Sequence, residues 1–153
     1  HNFIFPSRLN LFYFSMFGKK GVIEHQVLIP KENAKHYIKD LMKIIENNSP
    51  IIALCHLKVF NGKEMFLRFD GSGYCLALHF YNNSNGISAL NEIDLINLNY
   101  GCKVNLIKDS RLSSSSIFDQ YTEIDQFKSE ILKYDEDLMF RNNIIDKIFT
   151  PYE

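Results

Sequence analysis

The chain of 153 residues contains no tryptophan, and it has only seven glycines, four prolines and three cysteines. Cys55, Cys75 and Cys102 are far apart and form no C-x-x-C pair, which argues against a zinc site or a disulfide framework and favours a reducing compartment. The apolar runs are only a few residues long, whereas a helix that crosses a bilayer needs about 20 apolar residues. We therefore expect neither a transmembrane segment nor a metal site.

An excess of charge of one sign is also lacking, because 17 basic and 18 acidic residues give a net charge of −1. This balance excludes a strong overall attraction to nucleic acid, so we expect no nucleic-acid partner. The motifs that cradle phosphates or activate a serine, G-x-x-x-x-G-K-[ST], G-x-G-x-x-G and G-x-S-x-G, are absent. We interpret Ser72 as a turn residue, and Asp135 and Asp137 as a solvated helix start.

The first 17 residues are rich in Phe and Leu and resemble the interior of a longer protein. They show no charged region followed by an apolar stretch, so we predict no signal peptide and expect the chain to be part of something larger. Two interpretations of the phenylalanines stay open: they pack on this domain's own core, or they contact a partner surface. The residues concerned are Phe3, Phe5, Phe12 and Phe14.

The rest of the chain shows a clear succession of strand and helix patterns, and its length is ordinary for one domain. The order β-α-β-β-α-β is the ferredoxin-like split pattern of the α+β class, an antiparallel sheet with both helices on one face. A helical segment with polar interruptions follows from Ser113 to Ile148, and a short fifth strand would extend the central hairpin. The predicted strands are Val22–Ile29, Ile51–Phe60, Met65–Phe69, Tyr74–Tyr81 and Cys102–Ile107, and the predicted helices start near residues 31 and 87.

Successive strand residues point to opposite faces of the sheet, so each strand divides into two sets. We predict that the apolar sets lie under the helices, namely Ile23, Val27, Ile29, Ile51, Ala53, Cys55, Leu57, Val59, Leu76, Leu78 and Phe80. The opposite sets form a helix-free face made of Glu24, Gln26, Leu28, Leu54, His56, Lys58, Phe60, Cys75, Ala77 and His79.

This helix-free face has two interpretations. Antiparallel sheets often expose one face to water. However, an apolar floor among a few polar groups is typical of a ligand surface, and Leu54, Phe60 and Ala77 would supply that floor. Single histidines such as His56 and His79 are more often structural than metal ligands, so neither is assigned a metal.

The polar run Lys108-Asp109-Ser110-Arg111 directly follows the last predicted strand. Together with the preceding residues from Gly101, it resembles the G-x-x-x-x-x-x-K-D-S-R segment of decaprenylphosphoryl-β-D-ribose 2′-oxidases, which are FAD-dependent enzymes of the vanillyl-alcohol oxidase superfamily. Further similarities follow in order along residues 9 to 148. They are Gln26–Pro30 with a Q-x-x-I-P strand end, Leu57–Phe60 with an F-K-L-F-G strand, Gly73-Tyr74 with Gly-Trp, and Phe118, Tyr121 and Asp125 with an F-x-x-x-Y-x-x-x-D helix.

The resemblance implies a domain organisation that the chain only partly contains. Residues 1–21 would connect to an N-terminal FAD domain outside this chain, 22–112 would form the substrate-binding domain, and 113–153 the C-terminal helical segment. FAD would be bound mainly by that N-terminal domain, with the helix-free face lying over its ring. The chain by itself would then be catalytically inactive.

The resemblance also implies residue roles. Lys108 matches a lysine that contacts both flavin and substrate, and its ammonium group would stabilise the negative charge that hydride transfer leaves on the ring edge. Glu24 stands where the family has Gln. The implied substrate-binding residues are Gln26, Leu54, His56, Lys58, Phe60, Cys75 and Ala77.

The expected function is therefore substrate binding in an FAD-linked oxidoreductase that oxidises a secondary alcohol of a sugar, with the 2′-hydroxyl of a lipid-linked ribose as one candidate. A sugar-lactone oxidase of the same superfamily and a free-standing ferredoxin-like ligand-binding module stay open as alternatives. The expected location is cytoplasmic, with membrane association through a lipid-linked substrate also open.

Overall fold

The computed structural model describes residues 17–63, 65–108 and 111–150. The interpretations of Phe3, Phe5, Phe12 and Phe14, and the matches at Asp109 and Ser110, lie outside these residues. The elements are β1 (Val22–Pro30), α1 (Ala34–Asn48), β2 (Ile52–Asn61), β3 (Ser72–Tyr81), α2 (Ser84–Asn99), β4 (Lys103–Val104), α3 (Ser114–Gln120), α4 (Ile124–Tyr134) and α5 (Asn143–Phe149).

The predicted α+β class is confirmed by a four-stranded antiparallel sheet with the order β2-β3-β1-β4. The predicted alternation holds on the two central strands, β1 and β3, whose apolar sets enter one core with α1 and α2. Burial of such side chains is the main favourable term in folding. The members of this core on the two strands are Val27, Ile29, Leu76, Leu78 and Phe80.

A buried chain of hydrogen bonds ties the sheet to both helices. The Tyr37 hydroxyl on α1 donates to Asn97 Oδ1 on α2 at 2.8 Å, and Asn97 Nδ2 lies 3.2 Å from His25 Nε2 on β1. Buried polar groups need such partners, because an unpaired one keeps its desolvation cost. Burial, more than the nearby thiol of Cys102 and carboxylate of Asp94, raises the pKa of Tyr37 well above its ordinary value, so its hydroxyl keeps the proton that it donates.

The prediction of a strand at Met65–Phe69 is wrong. The segment is a turn in which Arg68 N–H donates to Met65 O, and Phe66 has a positive φ of 50°. Phe66 N–H donates to Glu123 Oε2 at 2.7 Å, and the Phe66 ring packs beside Phe127 of α4. Contacts with this distant part of the chain outweigh the local strand propensity.

The last predicted strand, Cys102–Ile107, is shortened to Lys103–Val104, which pairs with Val27 and Leu28. Asn105 ends it by turning the chain: its backbone oxygen accepts from Lys108 N–H and its side-chain oxygen accepts from Ile107 N–H. Asn side chains commonly bond the backbone two residues on in this way.

Strand β2 departs from the prediction in two respects. An irregularity at Ala53 places Ile52, rather than Ile51 or Ala53, opposite Phe80. Leu57 and Val59 lie on the predicted side but remain 56% and 60% exposed, since the helices do not cover this outermost strand. Cys55, on the same side, is also exposed.

The C-terminal helical segment packs against the β4 edge and joins the same core through Ile117, Tyr121, Ile124 and Ile148. Val104 N–H donates to Gln120 Oε1 at 2.8 Å, and the Tyr121 hydroxyl donates to Val104 O at 2.6 Å. These side chains occupy backbone groups at the outer side of β4. Among residues 17–63, 65–108 and 111–150, no helix has both the length and the apolar character needed to cross a bilayer.

Candidate functional site

The helix-free face is arranged as four rows of side chains that run across β1, β3 and β2. The pairing registers place Ala77 between Gln26 and His56, and Cys75 between Leu28 and Lys58. The structure thus brings the candidate substrate-binding residues onto one surface. The four rows are Glu24–His79–Leu54, Gln26–Ala77–His56, Leu28–Cys75–Lys58 and Pro30–Gly73–Phe60.

Lys108 reaches this face from outside the sheet. The turn at Asn105 carries the chain back past β1, and Lys108 Nζ lies 3.1 Å from Glu24 Oε2. Both side chains are partly exposed, so the pair contributes only about 0–1 kcal/mol to stability. Its main effect is to hold the ammonium group at the edge of the face.

Gln26 is oriented by Asn105, whose Nδ2 donates to Gln26 Oε1 at 2.6 Å. The Gln26 backbone oxygen also accepts from Asn105 N–H at 2.8 Å. These two contacts fix the Gln26 amide. Its NH2 group hydrogen-bonds the Cys75 thiol and has a second N–H that can donate to another molecule. Asn105 was not predicted, because it lies 79 residues from Gln26 in the chain.

Two of the candidate residues lie below the surface of the face. Cys75 and Ala77 are fully buried, whereas Leu54 and Lys58 are exposed and His56 and Phe60 are half-buried. The Phe60 ring packs edge-on against Phe69 at a centroid distance of 5.9 Å. Cys75 and Ala77 therefore form the floor of the face, and the other side chains form its accessible surface.

The floor thiol is protonated at neutral pH. Burial raises the pKa of Cys75 above its ordinary value, although the charge of Lys58 and a hydrogen bond with Gln26 act in the opposite direction. A nucleophilic cysteine requires a lowered thiol pKa. Cys75 is therefore a packing residue of the face rather than a reacting group.

Thiol labelling should separate the three cysteines. Cys55 is exposed, whereas Cys75 and Cys102 are buried, and burial raises the pKa of Cys102 to about 12. We expect one equivalent of thiol to react quickly with Ellman's reagent at pH 8, and all three only in denaturant. The C55S variant should lose the fast phase. A fast phase that survives in C55S would contradict the burial of the other two.

The two histidines of the face lie close to each other, with ring centroids 6.1 Å apart. His79 Nε2 is buried and has no hydrogen-bond partner within the described part of the chain. No group of three or more metal-ligating side chains comes together among those residues. The two imidazoles are polar groups whose ring nitrogens can donate or accept hydrogen bonds.

The K-D-S-R motif is divided between the two sides of the fold. Arg111 donates from Nη1 and Nη2 to the Asp94 carboxylate of α2, at 3.0 and 3.4 Å, on the helix side of the sheet. Lys108 instead lies with Glu24 on the helix-free side. Of these two residues, Arg111 anchors the chain after the turn, and Lys108 is placed to meet a ligand.

The face as a whole combines two ammonium groups, Lys58 and Lys108, with the Glu24 carboxylate that pairs with Lys108, the Gln26 amide, two imidazoles and apolar side chains. Such a surface can bind a polyhydroxylated molecule that also carries negative charge. Comparison with protein-family models and with curated protein sequences gives no match for this chain.

Proposed function

We propose that this chain is the substrate-binding part of an FAD-dependent oxidoreductase that oxidises a secondary alcohol of a sugar. The observation that supports this proposal is the position of Lys108, which lies 3.1 Å from Glu24 on the same face as Gln26, His56 and Lys58. Within this class, the resemblance favours the 2′-hydroxyl of a lipid-linked ribose as the group oxidised.

The residues of the face fit the ring end of a flavin better than its phosphates. Lys108 supplies a positive charge, Gln26 supplies an amide donor, and His79 supplies a buried ring nitrogen without a partner in the described residues. The described residues contain no glycine-rich loop that could hold the phosphates. A separate FAD domain would hold them, and FAD, when bound, would supply the hydride acceptor.

Each accessible side chain has a distinct role in this proposal. Lys108 stabilises negative charge that develops during the reaction, and Glu24 keeps its ammonium group in position. Gln26, held by Asn105, donates to a sugar hydroxyl. Oxidation of an alcohol also releases a proton, and the half-buried imidazole of His56 is a group of this face that can take it up as a general base.

A free-standing ligand-binding module is the second candidate. The observation in its favour is that β1, β3, α1, α2 and the C-terminal helices share one continuous core within this chain. A domain with its own core can fold alone and bind a ligand without a flavin. A sugar-lactone oxidase would use the same face, so the nature of the sugar distinguishes it from the leading proposal.

The binding of a soluble pentose tests the role of the face in this chain. We expect methyl β-D-ribofuranoside, titrated into isotopically labelled protein, to shift the amide resonances of Gln26, His56, Lys58 and Lys108 by NMR. The Q26M variant, which keeps the side-chain length but loses the amide donor, should weaken binding about 5- to 10-fold.

Two controls make this test specific. The Q120M variant removes an amide on the far side of β4 and should leave the pentose affinity unchanged. Titration with methyl β-D-glucopyranoside at the same concentrations shows whether a hexose causes the same resonance shifts as the pentose. Shifts confined to α1 and α2, or an unchanged affinity in Q26M, would refute a sugar site on this face.

A further inference from the structure

The two edge strands of the sheet differ in whether the backbone groups on their outer side have hydrogen-bond partners. The outer side of β4 is closed by Gln120 and Tyr121, which bond both backbone groups of Val104. β2, at the other edge, is ten residues long and contains no proline, and no strand pairs with its outer side within the described part of the chain. Proteins usually protect such an edge, because its free backbone groups can pair with another strand.

The backbone direction along β2 identifies which residues face outward. Gly62 directly follows β2, and its N–H donates to Gly71 O. The backbone groups of the even-numbered residues at this end of β2 therefore point towards β3. Successive residues of a strand direct their amide groups to opposite sides, so Leu57 and Val59 turn theirs towards the open edge. Their side chains point to the helix side and are 56% and 60% exposed. Backbone groups and apolar side chains are therefore available together.

A groove beside this edge completes the surface. It has a volume of about 450 Å³ and lies between α1 and the sheet, with Ile38, Leu57 and Tyr74 among its apolar lining and Lys31 and Lys35 also bordering it. Lys31 Nζ donates to Asn61 Oδ1, and neither lysine is paired with a carboxylate of the described residues. β2 contains no acidic residue, and its single lysine, Lys58, is also positive. The surface is thus apolar with a basic border.

We propose that the open edge of β2 binds an extended acidic segment of another protein as a fifth strand. The segment pairs its backbone with Leu57 and Val59, places apolar side chains in the groove and directs carboxylates to Lys31 and Lys35. Charge complementarity favours this occupant over a second copy of the chain. A second copy paired through β2 would present a strand without any carboxylate, so it would leave Lys31 and Lys35 without acidic partners.

The test uses a fluorescein-labelled ten-residue peptide that alternates Val and Glu. The whole chain is titrated into this peptide, and binding is measured by the fluorescence anisotropy of the label. We expect saturable binding that weakens as salt is added. V59P removes the outward N–H and should weaken binding about tenfold, while edge strands tolerate proline at such a position. V59T keeps the N–H and the β-branched shape, so it should bind like the parent chain.

A second variant keeps the test decisive if V59P does not fold. K35E reverses one charge at the groove and should also weaken binding, and a peptide with Lys in place of Glu should not bind. Equal affinity for the Glu and Lys peptides, or no binding of the Glu peptide, would overturn the proposal. A stable dimer that V59P dissociates would assign the edge to a second copy instead.

Discussion

Replacement of Lys108 by alanine is expected, under the proposed oxidoreductase function, to slow flavin reduction in the FAD-containing protein by about 100- to 1000-fold. The ammonium group of Lys108 lies at the edge of the helix-free face beside Glu24. A fixed positive charge there favours a transition state in which negative charge builds up on the cofactor, and alanine removes it. The measurement is the rate of flavin bleaching in an anaerobic stopped-flow experiment with saturating sugar.

Two further variants show whether the effect belongs to this position. K108R keeps a positive charge and should recover part of the rate, whereas K133A removes a lysine that pairs with Glu130 on the surface of α4 and should be neutral. The K108A chain should keep its thermal midpoint, because its ion pair is partly exposed. A wild-type rate in K108A would exclude Lys108 from the chemistry.

Replacement of Asn97 by alanine is expected to lower the free energy of unfolding by about 3 kcal/mol, since it leaves two buried polar groups without this partner. The Tyr37 hydroxyl loses its acceptor on α2, and His25 loses its contact with the same side chain. Alanine also leaves a small cavity where the amide was. Urea unfolding followed by circular dichroism measures the change.

Asn91 provides the matched control, because it lies on the same helix but is exposed. N91A should change the free energy of unfolding by less than about 0.5 kcal/mol. A second comparison, Y37F, removes the donor but keeps the ring, so Asn97 keeps its contact with His25. Equal free energies of unfolding for N97A and N91A would show that the buried hydrogen bonds of Asn97 do not stabilise the fold.

The periodic part of the sequence predicted the sheet well. The alternation along β1 and β3 placed Val27, Ile29, Leu76 and Leu78 in the core, and the structure confirms that they lie there. The same rule was wrong at the start of β2, where it placed Ile51 and Ala53 under the helices, because the irregularity at Ala53 shifts Ile52 into the position opposite Phe80. A single extra residue exchanges the faces of a strand, and nothing in the local pattern marks it.

The site was predicted in part for the same reason. Gln26, His56 and Lys58 share a face because each has a defined place in a two-residue repeat. The sequence did not predict that Asn105 contacts Gln26 or that Lys108 contacts Glu24. Both contacts are made by the turn after β4, which brings together residues that are far apart in the chain. The full burial of Cys75 and Ala77 was likewise not predicted by the alternation, which gives the face of a residue and not its exposure.

The sequence by itself predicted the fold class and the residues of the helix-free face, because side-chain alternation and helix spacing are local properties of a chain. Tertiary structure alone decided that Met65–Phe69 turns towards α4 and that Lys108 meets Glu24. It also decided that, among the described residues, the β4 edge of the sheet is closed and the β2 edge has no strand on its outer side. Each of these depends on contacts between residues far apart in the chain. Their energies are settled only when the whole core has formed.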